Sequence, residues 1–179
     1  MGCDIHVYVA RRTHDKNGYH FEAAPLYRKT HLFKGETGDP FLLEEIDVGR
    51  SYTLFGILAG VRGSSCEPIA EARGLDNACP PEIRAEYDKL IDDPMSCHDA
   101  SWYDMSEIRC ALSDKKRYPK WYTYLDEDEN GKTVKVKDKS EPGPHQVLKD
   151  FYDAVMWFAN QAWYYAEPDD IRIYFWFDS

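Results

Sequence analysis

Hydrophobic and polar positions alternate from the first residues of the chain. Cys3, Ile5, Val7 and Val9 fall on one side of residues 3–10, and Asp4, His6 and Tyr8 on the other. That period of two predicts a β-strand with one apolar face. Asp15-Lys16-Asn17-Gly18 is a turn sequence, and Tyr19–Ala23 returns as a second strand, because Asn-Gly tolerates the positive φ of a tight hairpin. Residues 25–50 read as an irregular connection. Leu54, Ile57, Leu58 and Val61 then fit one helical face, with Ser51 placed to cap it. Residues 63–79 are loop-like. Pro80-Pro81 opens a helix running to about Leu90, since proline suits a first helical turn.

Ser96–Trp102 is polar and reads as a loop; Ser106 caps a short helix, Glu107–Leu112. Trp121–Leu125 and Thr133–Lys137 flank an acidic tip with Asn130-Gly131, the pattern of a second hairpin. The strongest helical signal is His145–Ala166, where Leu148, Phe151, Val155, Phe158, Ala162 and Tyr165 recur every three or four residues. Pro168 stops it. The last strand is Ile171–Phe177, with Ile171, Ile173, Phe175 and Phe177 on one face. The expected fold is α+β: residues 1–179 as a single domain, with a mixed or antiparallel sheet that includes both terminal strands and packs against the long C-terminal helix.

Composition narrows the function. The chain has 43% hydrophobic and 15% aromatic residues, enough for a core, and a net charge of −10. That charge argues against broad nucleic-acid binding, which relies on a basic excess to displace counterions. Five cysteines with no C-x-x-C and no export signal are expected to be reduced thiols in a cytoplasmic protein. The longest apolar stretch, Ala154 to Ala166, is broken by Asn160 and Gln161 and is too short to cross a bilayer.

Candidate chemistry starts with Asp4 and His6. Two residues apart on a strand, they share a face, so the carboxylate can orient the imidazole or join it on a metal. The segment His98-Asp99-Ala100-Ser101-Trp102 offers a base, an acid, a hydroxyl and an aromatic ring. No G-x-S-x-G elbow surrounds Ser101, which argues against a serine hydrolase. Cys3 and His6 lie on opposite strand faces, which argues against zinc bound through that cysteine. Asp4, His6 and His98 form the easier candidate set for a divalent metal. Asp126-x-Asp128-x-Asn130-Gly131 opens like a calcium loop, but its twelfth position is Lys137, so a hydrated hairpin tip explains it better. Arg62 and Arg73 sit beside glycines and can meet a phosphate or carboxylate. There is no Walker or dinucleotide fingerprint.

Several segments resemble a family of small uncharacterised bacteriophage and bacterial proteins. They are Met1-Gly2-Cys3-Asp4-Ile5-His6, Arg50–Arg62, Arg73-Gly74-Leu75 and the terminal Ile171–Asp178 with its Phe-Trp-Phe-Asp. His98–Trp102 is similar to that family's His-Ser-x-Ser-Trp element, with Asp99 in place of a serine. The resemblance implies a phage or prophage accessory protein acting in the host cytoplasm, and carries no established reaction. The expected role is therefore a binding protein for a small, nucleotide-like ligand or a host factor, counter-defence included. Its pocket would join Asp4, His6, His98, Ser101 and Trp102 with Arg62 or Arg73. The competing readings are a metal-assisted hydrolase using Asp4, His6 and His98, and an acidic inhibitor of a host protein with no small-molecule site.

Overall fold

A computed structural model describes residues 4–24, 45–61, 66–91 and 97–178. The elements in chain order are β1 (Asp4–Asp15), β2 (Gly18–Ala23), α1 (Tyr52–Ala59), α2 (Pro81–Ile91), β3 (Cys97–Asp104), α3 (Met105–Ser113), β4 (Tyr122–Glu127), β5 (Thr133–Asp138), α4 (Pro144–Trp163) and β6 (Ile171–Asp178). The fold is α+β, and both terminal strands belong to one antiparallel sheet of order β2-β1-β6-β3. Contacts divide the chain into two compact units. One comprises Met1–Arg50, Ala72–Ser106 and Ala154–Ser179, and the other Ser51–Glu71 and Glu107–Asp153.

The first unit holds the four-stranded sheet. The alternation in β1 predicts one buried face, and Ile5, Val7 and Val9 are buried. On the opposite face Asp4 and His6 stay partly exposed, but Tyr8 and Ala10 are buried, contrary to that expectation. Tyr8 and Ala10 join Tyr174, Trp176 and Ala100 in a cluster with Cys79 and Ile83, against which Tyr87 and Leu90 of α2 pack. β6 lies between β1 and β3, and Ile171 through Phe177 are all buried, aromatic side chains filling both faces. Arg172 is the charged member of this buried run. Its guanidinium donates to Asp104 and Asp76 at 2.7 Å each and lies 3.8 Å from the Trp102 ring centroid and 4.2 Å from that of Phe21.

The segment expected to be a loop, Ser96–Trp102, supplies strand β3 from Cys97 on. A bulge hides its periodicity. His98 pairs with Phe177 and Ser101 with Phe175, so two residues, Asp99 and Ala100, stand against one. Asp99 takes a φ of 52° there. Alternation is therefore broken in the sequence although it holds along the paired strand.

In the second unit Ser51 caps α1 by accepting from Leu54 N at 3.3 Å, and Gly60, φ 71°, closes it by donating to Gly56 O. The acidic tip is a hairpin: β4 pairs antiparallel with β5, and the Asp128 carboxylate accepts from Asn130 N and Lys132 N at 2.9 Å. Both bonds fall on Oδ1, which is held within the turn. In the first unit, to which Ala154 onward belongs, the helix expected to reach Ala166 stops at Trp163, and Tyr164 is left-handed with φ 64°. Asn160 ends it, accepting from Ala166 N at 3.1 Å and donating to Met156 O at 2.8 Å, so Tyr165 leaves the apolar stripe and is exposed. Among the described residues no helix is long and apolar enough to cross a membrane.

Candidate functional site

The register between β1 and β6 builds the site. Asp4 stands opposite Asp178, His6 opposite Trp176 and Tyr8 opposite Tyr174, all on the face that carries α2. β2 pairs with β1 only from Ala10 to Asp15. Beyond it, the chain returns to that edge at Ile46, whose N–H donates to Val7 O at 2.9 Å. This return sets Glu45 alongside His6 and Tyr8. Gly49 then turns the chain with φ 61°, its N–H donating to the Asp47 carboxylate, and Arg50 reaches back to Asp4.

His6 is held from both sides. Its Nδ1 lies 3.1 and 3.2 Å from the two carboxylate oxygens of Glu45, and its Nε2 lies 3.2 Å from Asp178 Oδ2. The other oxygen of Asp178 accepts from Asp4 N at 2.9 Å. Arg50 grips the Asp4 carboxylate through Nε and, at 2.8 Å, through Nη2. Beneath these polar groups is an aromatic stack. Trp176, fully buried, has its ring centroid 5.8 Å from that of His6, 5.0 Å from Tyr8 and 5.1 Å from Tyr87. Its indole Nε1 has no hydrogen-bond partner among the described residues.

Electrostatics follow from this geometry. The hydrogen bond to Glu45 raises the pKa of His6; burial opposes the shift, and Asp178 adds to it. Arg50 holds the Asp4 carboxyl below its usual range. Burial raises the Tyr8 hydroxyl, and the charge of Glu45 adds to it. Above the stack opens a cleft of about 480 Å³ lined by Asp4, Ile5, His6, Glu45, Asp47, Gly49, Arg50 and Asp178. Among the described residues four carboxylates face one guanidinium and one imidazole, so this lining carries a net negative charge.

Of the residues expected to converge that are described, Asp4 and His6 meet here and His98, Ser101, Trp102 and Arg73 do not line the cleft. His98 pairs with Phe177 and stacks on its ring at 5.9 Å, while His6 pairs with Trp176. Phe177 and Trp176 are consecutive on β6 and face opposite sides of the sheet, so His6 and His98 do too. His98 Nδ1 is engaged by Asp99 at 2.8 Å. The expected metal set of Asp4, His6 and His98 is thus not assembled. Among the described residues no group of three or more His, Cys, Asp and Glu side chains is arranged to hold a metal ion.

Ser101 is fully buried and accepts from Arg73 N at 3.1 Å, a structural tie rather than a nucleophile's setting. Trp102 shares a face with His6 but sits on β3 opposite Tyr174, covered by Arg172 and by Arg73 at 4.6 Å. Arg62 lies outside the described residues. The residues that complete the cleft and were not singled out are Glu45, Asp47, Arg50 and Asp178. Antiparallel pairing of the terminal strands is the signal that would have found Asp178 opposite Asp4. Nothing local marks Glu45, which arrives across a long connection.

No family model, curated protein or solved structure matches the chain.

Proposed function

We propose that this chain is a binding protein whose cleft receives a cationic group, either a small amine or guanidine or a basic side chain of a partner protein. The observation that carries this reading is the surplus of carboxylates, Asp4, Glu45, Asp47 and Asp178, around an open cleft where, among the described residues, Arg50 and His6 stand in opposition. An ammonium or guanidinium entering it exchanges water for charge-assisted hydrogen bonds. A phosphate-bearing ligand meets like charge, which weighs against the nucleotide-like version of the expected role. The resemblance of the terminal segments to phage and bacterial proteins supports a host-cell setting for the partner.

A hydrolase reading finds less support. A general base or metal ligand presents a neutral imidazole nitrogen. Both nitrogens of His6 already face carboxylates, and that arrangement stabilises the protonated ring.

Isothermal titration and NMR of the His6 ring with methylguanidinium, spermidine, a short Lys/Arg peptide and AMP test the proposal. Binding of the cations, lost by at least tenfold in Glu45→Gln/Asp178→Asn, is the expected result. The peptide arm separates a partner side chain from a small amine. AMP binding with no response to any cation would overturn it.

A further inference from the structure

Each of the four carboxylates lining the cleft already has a partner. Glu45 and Asp178 face the two nitrogens of His6, Arg50 grips Asp4, and Asp47 accepts from Gly49 N. A cation entering the cleft must share these groups or replace a positive charge that is there already. Arg50 cannot give way by losing its charge, because a guanidinium keeps its proton throughout the pH range of a folded protein. His6 can.

A neutral imidazole carries one N–H and one lone pair, whereas an imidazolium carries two N–H donors. With a carboxylate at each nitrogen, the arrangement suits the imidazolium, an internal cation seated on two of the four carboxylates. The ring is partly exposed and lines the cleft, so solvent and a ligand both reach it. Loss of one proton leaves a lone pair on one ring nitrogen, next to a carboxylate that has lost its donor. That pair of acceptors calls for the N–H groups of an ammonium or guanidinium.

The groups packed around the ring keep their protonation as His6 titrates. Tyr8 on β1 donates to Glu45 Oε2 at 3.5 Å, and burial raises its hydroxyl far above neutral pH. Burial also raises the hydroxyl of Tyr87 on α2 and the thiol of Cys97, which stands opposite Asp178 on β3. Trp176 on β6 is neutral. Asp4, beside its Arg50, is held below the usual carboxylate range, and Asp47 and Glu86 complete the acidic surroundings.

We propose that the cleft takes up its cation in exchange for the proton of His6, a deepening that rests on the cation-binding reading above. One ring nitrogen gives its proton to solvent, and the lone pair left there accepts an N–H of the ligand. The ligand's charge then replaces that of the imidazolium between Glu45 and Asp178. Protonation and cation binding each weaken the other by the same factor. Affinity for a cation of fixed charge therefore rises as pH passes through the raised folded-state value of His6, by about tenfold per pH unit at most, and levels off above it.

Isothermal titration of methylguanidinium into the full chain at about pH 5.5, 7 and 8.5 is the test, with two buffers of different ionisation enthalpy at the lowest value to count protons. Binding is expected to tighten about tenfold or more from the lowest to the highest pH, with about one proton released per ligand at the lowest. NMR of the His6 ring should show its pKa falling when methylguanidinium saturates the cleft. His6→Gln removes the charge and keeps a hydrogen-bonding side chain, so its affinity should vary by no more than about twofold over the same range. Equal affinity of the wild-type chain at all three values with no proton released overturns the exchange and leaves the cation-binding reading standing. A pH dependence kept in full by His6→Gln places the titrating group elsewhere and also overturns the exchange. No binding of methylguanidinium at any of the three values overturns both the exchange and the reading beneath it.

Discussion

His6 makes the site's stability depend on pH with a definite sign. Its folded-state pKa is raised above the ordinary value of 6.5 by Glu45 and Asp178, so protonation favours the folded state. The contribution is fully present below the unfolded pKa and disappears as pH rises through the raised folded value. Its size follows from exposure. The His6 side chain is 22% exposed and its two carboxylate partners 38% each, so solvent screens both pairs substantially. Each pair is therefore worth about 0.5–1 kcal/mol, near the upper end for partly exposed ion pairs, and the two together about 1–2 kcal/mol. A double-mutant cycle isolates this quantity. It combines His6→Gln with Glu45→Gln and, separately, with Asp178→Asn, each unfolded in urea at about pH 5.5 and about pH 9, both above the ordinary carboxylate range. The cycle subtracts the separate loss of the Asp178 bond to Asp4 N–H. Coupling is expected at the lower pH and should vanish at the higher one. Equal coupling at both values, or larger coupling at pH 9, would refute a charged imidazole between two carboxylates.

Two further substitutions probe the framework under the site. Trp176→Ala removes a fully buried ring stacked against His6, Tyr8 and Tyr87 and should cost about 3–5 kcal/mol in urea unfolding with an unchanged slope; a loss under about 1 kcal/mol would mean the stack is not packed as described. Arg172→Met leaves Asp76 and Asp104 without their shared guanidinium and should cost about 3–5 kcal/mol. Arg172→Lys should recover only part of it, because an ammonium cannot reproduce the fork or the stack on Trp102; full recovery in thermal melts would contradict that geometry.

Much of the secondary structure was legible because each element carries its own local signal. The hairpins at Asn17-Gly18 and Asn130-Gly131, the Ser51 cap and the apolar stripe through Leu148, Phe151 and Val155 depend on neighbours a few residues away. The errors lie where a distant element overrides the local pattern. β3 reads as a loop because the bulge at Asp99 shifts its alternation by one residue, and only pairing with β6 reveals the strand. Tyr8 and Ala10 read as the open side of β1 until α2 covers them.

The sequence alone determined the first and last strands, the shared face of Asp4 and His6, and a net charge of −10. Those properties follow from residue type and a period of two. Tertiary structure decided which residues complete the site. Antiparallel pairing of β1 with β6 set Asp178 beside Asp4 and His6, and the return of the chain at Ile46 set Glu45 on the other side of the ring. Pairing of β3 with β6 sent His98 to the opposite face of the sheet from His6. Strand neighbours distant in sequence share a face only through register, and one residue of bulge reverses it.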